Sequence, residues 1–195
     1  MVLHILLFVF YSFFHFSELS DNAETWIIKS SSSLLVHGST NINTFTCTVA
    51  SYGKTDTLSF IPPSGKQNIY RVHSVLHVPV KNFDCQNRFM TKDLQKTLKL
   101  ETFPYIIIDI KQLSSLPDGT TKSMEGQVDI TISGVKKYYT IPFYVHKKQN
   151  FTIMKGKKNV HFSDFKLIPP SKLGGSIRVN DLLEVEVTLE MSKSG

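Results

Sequence analysis

The stretch LLEVEVTLEM, Leu182 to Met191, sets the fold class. Leu183, Val185, Val187, Leu189 and Met191 fall on one side of an extended chain and Glu184, Glu186, Thr188 and Glu190 on the other. That period of two is the mark of a pleated strand with one buried and one wet face. The same period recurs upstream. In IYRVHSVLHVPV the even-numbered Tyr70, Val72, Ser74, Leu76, Val78 and Val80 oppose Arg71, His73, Val75 and His77. YIIIDIKQL turns Ile106, Ile108 and Ile110 inward against Asp109 and Lys111. QVDITIS does so with Val128, Ile130 and Ile132, and YTIPFYV with Tyr139, Ile141, Phe143 and Val145. Turn signals separate these runs: LPDGTT at Leu116–Thr121 and SGVKK at Ser133–Lys137.

Consecutive antiparallel strands of this kind must hide one apolar face, and closing the sheet does so without leaving open edges. The expectation is an all-β fold, an extended antiparallel barrel of about eight strands whose interior is filled by side chains or holds one slender ligand. Composition agrees, with 41% hydrophobic residues, 14 Phe and 7 Tyr in 195 residues. One helix interrupts the strands. In NRFMTKDLQKTLKLETFP, Met90, Leu94 and Leu98 recur every four residues, Thr91 can cap the start, and Pro104 stops the helix, which is expected to cover one end of the barrel.

The first 23 residues read as a secretory signal peptide, with an apolar run from Val2 to Phe16 too short to span a bilayer and Ser20 or Ala23 as cleavage candidates. Residues 24–195 then form one domain, secreted or periplasmic, with no stable membrane insertion. Loss of the leader takes away Glu18 and Asp21, leaving 22 bases against 14 acids and a formal charge of +8. These bases are scattered, and KGKK at Lys155–Lys158 is expected to be a solvated hairpin tip, so no nucleic-acid partner is expected.

Catalytic and metal signatures are missing. The chain has no GxSxG elbow, P-loop, dinucleotide fingerprint or HExxH, so no enzymatic activity, no cofactor and no metal are expected. His73 and His77 share a strand face but stand about 13 Å apart at roughly 3.3 Å per residue, too far to share an ion. An enzyme would need a convergent acid or base such as Asp84, Asp93 or His161 at the barrel mouth. Cys47 and Cys85 could close a loop of 38 positions as a disulfide, worth roughly 3–4 kcal/mol on the chain-entropy estimate; two buried unpaired thiols are the alternative.

Three ordered blocks carry a resemblance: SLLVHGSTNINTFTC from Ser33, VPVKNFDCQNRFMTKDLQKTLKLETFPYIIIDI from Val78, and DFKLIPPSKLGGSIRVNDLLEVEVTLEM from Asp164. Together they resemble the YceI-like family, in its variant with two cysteines, over roughly Ser33 to Met191. The resemblance implies a lipocalin-like barrel, typically a homodimer, whose elongated apolar cavity holds a polyisoprenoid such as a polyprenyl quinone or polyprenyl phosphate. The opening block SSSSLLVHGSTNINTF lacks the Asp and His-Ser arrangement of better-known members.

Such a cavity would draw its affinity from apolar area removed from water, at about 25 cal/mol per Å² before ordering costs. Leu76, Val78, Ile106, Ile108, Ile130, Ile132, Phe143 and Val187 are its candidate wall, and Phe89, Met90, Leu94 and Leu98 on the covering helix its candidate mouth. GSTNINTFTC, Gly38 to Cys47, alternates like a strand although it is crowded with polar residues. Asn41, Asn43, Phe45 and Cys47 share one face; if it points inward, the two amides could meet a quinone carbonyl or a phosphate. A buried structural network of Asn and Thr explains them equally well. The competing function is a structural or interaction protein with a filled barrel and no ligand.

Overall fold

The computed structural model describes residues 23–63 and 69–194. The expected signal peptide, all but Ala23, lies outside the described residues. In chain order the strands are β1 (Glu24–Ile28), β2 (Ser33–Ser39), β3 (Thr44–Val49), β4 (Asp56–Ile61), β5 (Tyr70–His73) and β6 (Val75–Pro79). After helix α1 (Arg88–Thr97) come β7 (Tyr105–Leu113), β8 (Ser123–Ile132), β9 (Val135–Lys148), β10 (Phe151–His161), the short pair β11 (Ser171–Lys172) and β12 (Ile177–Arg178), and β13 (Leu182–Lys193).

Three of the barrel's eight walls are bent strands recorded in two pieces: β1 with β2, β3 with β4, and β5 with β6. β13 runs past both halves of the first, pairing Glu184–Thr188 with β2 and Met191–Lys193 with β1. β7 likewise receives β5 at Gln112–Leu113 and β6 at Tyr105–Asp109. Every neighbour is antiparallel, and the β1–β13 pairing closes the ring. The alternation read from the sequence survives as burial: Leu76, Val78, Ile106, Ile110, Val128, Ile130, Ile141, Phe143, Leu189 and Met191 are all in the core. Ser133 and Gly134, at φ 50° and 79°, form the two-residue hairpin turn between β8 and β9, a left-handed pair that a glycine makes affordable.

Three local expectations are corrected. GSTNINTFTC is not one strand: β2 ends at Ser39, residues 40–43 turn, and β3 begins at Thr44. Thr40 organises that turn, its hydroxyl accepting from the backbone N–H of Ile42 and Asn43 and donating to the Asn43 side chain at 2.7 Å. Local side-chain bonds of this kind compete with a sheet ladder. KGKK is not a hairpin tip but the middle of β10, where Lys157 meets Glu184 of β13 at 2.7 Å and Lys155 meets Glu186 at 3.8 Å. Finally, Asn87 rather than Thr91 caps α1, its Oδ1 accepting from Phe89 N and Met90 N at 3.0 and 3.1 Å. Thr91 instead accepts from the Cys85 N–H at 3.0 Å.

Candidate functional site

One seam of the barrel is not held by a ladder. β4 pairs with β5 as far as Ser59–His73, but beyond that point the backbone pairing between β3 and the chain around β6 is reduced to the bridge between Thr48 and Asp84. Three devices span the seam. The Tyr52 hydroxyl accepts from the His77 N–H at 3.1 Å and donates to Asp56 at 2.5 Å. The Thr48 and Asp84 backbones exchange bonds at 2.8 and 2.9 Å. Cys47 and Cys85 form a disulfide, so the paired reading of the cysteines holds, and it tethers the chain entering α1 to the barrel wall.

Above that tether lies an apolar cleft of about 220 Å³. Three pieces of chain frame it. The β2–β3 arm contributes Ile42, Asn43, Phe45 and Cys47, α1 contributes Phe89, Met90 and Leu94, and the chain after β10 contributes Phe162, Pro170, Ile177 and Val179. Phe45 lies across Gly38, its cross-strand partner, where a Cβ would overlap the ring. Cys47, Leu94 and Phe162 are buried members of the barrel core, so the floor of the cleft is the top of that core. Among the described residues Asp93 is the only carboxylate on the lining, and Lys172 holds it at 2.8 Å.

The lumen is much tighter. Leu76, Ile108, Ile130, Phe143 and Val187 border a cavity of about 40 Å³, and Leu76, Val78, Ile108 and Val187 one of about 20 Å³. Phe143 is the reason on one side: its ring lies against Gly126 of β8 and Gly156 of β10, where a Cβ on either would overlap it. Lys158 also borders the larger of the two, and its ammonium donates to Thr140 O at 3.2 Å, where β9 and β10 no longer pair. Beside it, Tyr139 donates to Asp164 at 3.1 Å, and its phenol is pushed up to about 12 by burial and by that carboxylate.

The fifteen expected ligand residues therefore divide. Asn43, Phe45, Phe89, Met90 and Leu94 frame the cleft, while Leu76, Val78, Ile108, Ile130, Phe143 and Val187 border the lumen cavities. Leu98 and Ile106 are buried and Ile132 half-buried, packed in the core without bordering either space. Asn41 is a staple of the exposed turn rather than an inward amide: its Nδ2 donates to Ser176 O and its Oδ1 accepts from Arg178 N, each at 2.9 Å. Asn43 is exposed in the same turn, its Oδ1 held by Thr40. Sequence reading missed Phe162, Pro170, Ile177 and Val179. The run IPPSKLGG offered a signal, since two prolines and two glycines break the strand period beside the last strand.

Of the three acid or base candidates, Asp84 accepts from the Gln86 N–H, Asp93 is paired with Lys172, and His161 lies 3.2 Å from Asp181. The Ser163 hydroxyl, with lesser help from His161, holds Asp181 below the usual carboxylate range. Among the described residues no group of three or more His, Cys, Asp or Glu could hold a metal ion, and no helix is long and apolar enough to cross a membrane.

The YceI-like domain model matches residues 27–191, which spans the barrel except for the outer ends of β1 and β13 and takes in all three sides of the cleft. The chain belongs to the YceI-like family. That family is one of lipophile-binding barrels. A search of curated proteins returns no match. Among solved structures, Burkholderia cenocepacia BcnA superposes with a TM-score of 0.58 at 13% identity, covering 82% of this chain and 95% of BcnA. A Campylobacter jejuni YceI protein gives 0.48 at 14% identity, covering 71% of this chain and 81% of its own. The BcnA superposition supports the shared fold.

Proposed function

We propose that this YceI-like protein is a carrier for a lipophilic small molecule, taken up at the cleft beneath α1. The carrying observation is the cleft itself: about 220 Å³, walled by Ile42, Phe45, Met90, Leu94, Phe162 and Val179, with its only carboxylate neutralised by Lys172. A space of that chemistry favours apolar area and offers little to a polar metabolite. It falls short of the roughly 300–1,000 Å³ of drug-sized pockets, so a long chain needs the core below the cleft to open.

A polyprenyl quinone or polyprenyl phosphate is the first ligand class to test, on the strength of family membership. With Asn41 committed to the turn, a head group would meet the cleft rim rather than a buried amide pair. Export to a secreted or periplasmic compartment is part of the same proposal, and a disulfide suits an oxidising environment.

A filled barrel without ligand is the second reading, and the lumen cavities of about 40 and 20 Å³ favour it. Native mass spectrometry of the full-length chain exported to an oxidising compartment, with organic extraction of its cargo, separates the two. The carrier reading expects a bound lipophile, or stoichiometric uptake of added polyprenyl quinone that Met90→Glu abolishes. An empty protein that takes up neither quinone nor prenyl phosphate overturns it.

A further inference from the structure

We propose that the rim of the cleft is a docking surface for an anionic lipid membrane. The four most exposed large aliphatic or aromatic side chains of the described residues are Ile168, Leu173, Phe89 and Ile42, at 86%, 76%, 75% and 65% exposure. They come from three separate segments, the 40–43 turn, α1 and the 166–178 loop, which the fold ties into one surface. Ile42, Phe89 and Ile177 share the cleft, Asn41 bonds to Ser176 and Arg178, and Lys172 bonds to Asp93 of α1. Isolated exposed hydrophobics are ordinary on a protein surface, but a cluster at the mouth of an apolar cleft marks a contact site.

Charge selects the occupant. α1 and the 166–178 loop carry Arg88, Lys92, Lys96, Lys166, Lys172 and Arg178 against a single acid, Asp93, which Lys172 already neutralises. Apolar tips set among bases fit an anionic bilayer surface, where the tips enter the acyl boundary and the bases meet the head groups. A lipophile carrier also needs to meet the phase that holds its cargo, and docking mouth-first lets a lipid chain pass between bilayer and cleft without crossing water. This last point rests on the carrier reading; the surface chemistry does not.

The test is flotation of the full-length exported protein with phosphatidylcholine vesicles and with vesicles half phosphatidylglycerol. The expected result is association with the anionic vesicles alone, weakening as salt screens the charges. Ile168 and Leu173 stand outside the cleft lining, so I168S/L173S is expected to bind vesicles at least about tenfold more weakly. The same variant should melt like wild type and still take up quinone from solution. R88A/K92A is expected to lose about fivefold per base. No association with anionic vesicles, or I168S/L173S binding like wild type, overturns the dock. So does a homodimer closed over this face that leaves vesicles unbound, which would assign the surface to a second copy. Uptake without vesicle binding sinks the dock alone, and vesicle binding without uptake sinks the carrier alone.

Discussion

The two apolar spaces of this barrel differ in what encloses them. The lumen is walled by ladders on nearly every side, and the strands draw together around cavities of about 40 and 20 Å³ beside Phe143 and Leu76. The cleft is enclosed by a helix, a turn and a loop, held by one disulfide, one ion pair and a short cluster of bonds from Ser39–Asn41 to Ser176–Asn180, and it keeps about 220 Å³ open. A ladder repeats its bonds along every strand and leaves no room for slack. Tethers fix their elements at single points and leave space between them. The candidate site therefore sits where the barrel stops being a sheet.

The sharpest way to break that comparison is to remove Phe143. Phe143→Ala is expected to cost about 3–5 kcal/mol and to leave a cavity between Gly126 and Gly156. Denaturant melts measure the loss. Greater capacity for quinone in the variant would show that the lumen is continuous with the cleft.

Cys47→Ser with Cys85→Ser acts on the other space. Releasing a 38-position loop is expected to cost about 3–4 kcal/mol. Hydrogen exchange should rise first along α1 while β8 and β9 stay protected; a uniform rise across the barrel would contradict the local role of the tether.

A smaller effect comes from Gly156→Ala, whose new methyl would overlap the Phe143 ring and is expected to cost about 1–3 kcal/mol. Uptake at the cleft should not change. Met90→Ala, half-buried in the cleft, should show the reverse pattern of weaker uptake with little change in melting.

The smallest effect is one of pH. The Tyr139 phenol is raised from 10.0 to about 12 by burial and by Asp164. A group whose folded value lies above its unfolded one contributes stability that is whole below pH 10 and is lost as pH climbs through about 12. Thermal melts across that range should fall more gently for Tyr139→Phe than for wild type.

What the sequence could reveal follows the same divide. The alternation of Leu183 to Met191 is local, so the barrel and its inward faces were legible from it. The roles of Lys155 and Lys157 depend on Glu186 and Glu184 lying opposite them on another strand, and a run of lysines with a glycine looks like a turn when that partner is unseen. GSTNINTFTC misled in the other direction, because Thr and Asn alternate in a strand and cap a turn with equal ease. Met90 and Leu94 were legible as one side of the cleft from helical spacing. Phe162, Ile177 and Val179 were not, since a loop has no period and only the closed barrel brings it over α1.

The central claim, that a lipophile enters beneath α1, is met most directly by photocrosslinking with a diazirine-bearing polyprenyl quinone, followed by peptide mapping. The account predicts adducts on Met90 and Leu94 of α1 and on the chain from Phe162 to Val179, competed away by unlabelled quinone. Adducts confined to the outer strand faces, or none that quinone displaces, would contradict it.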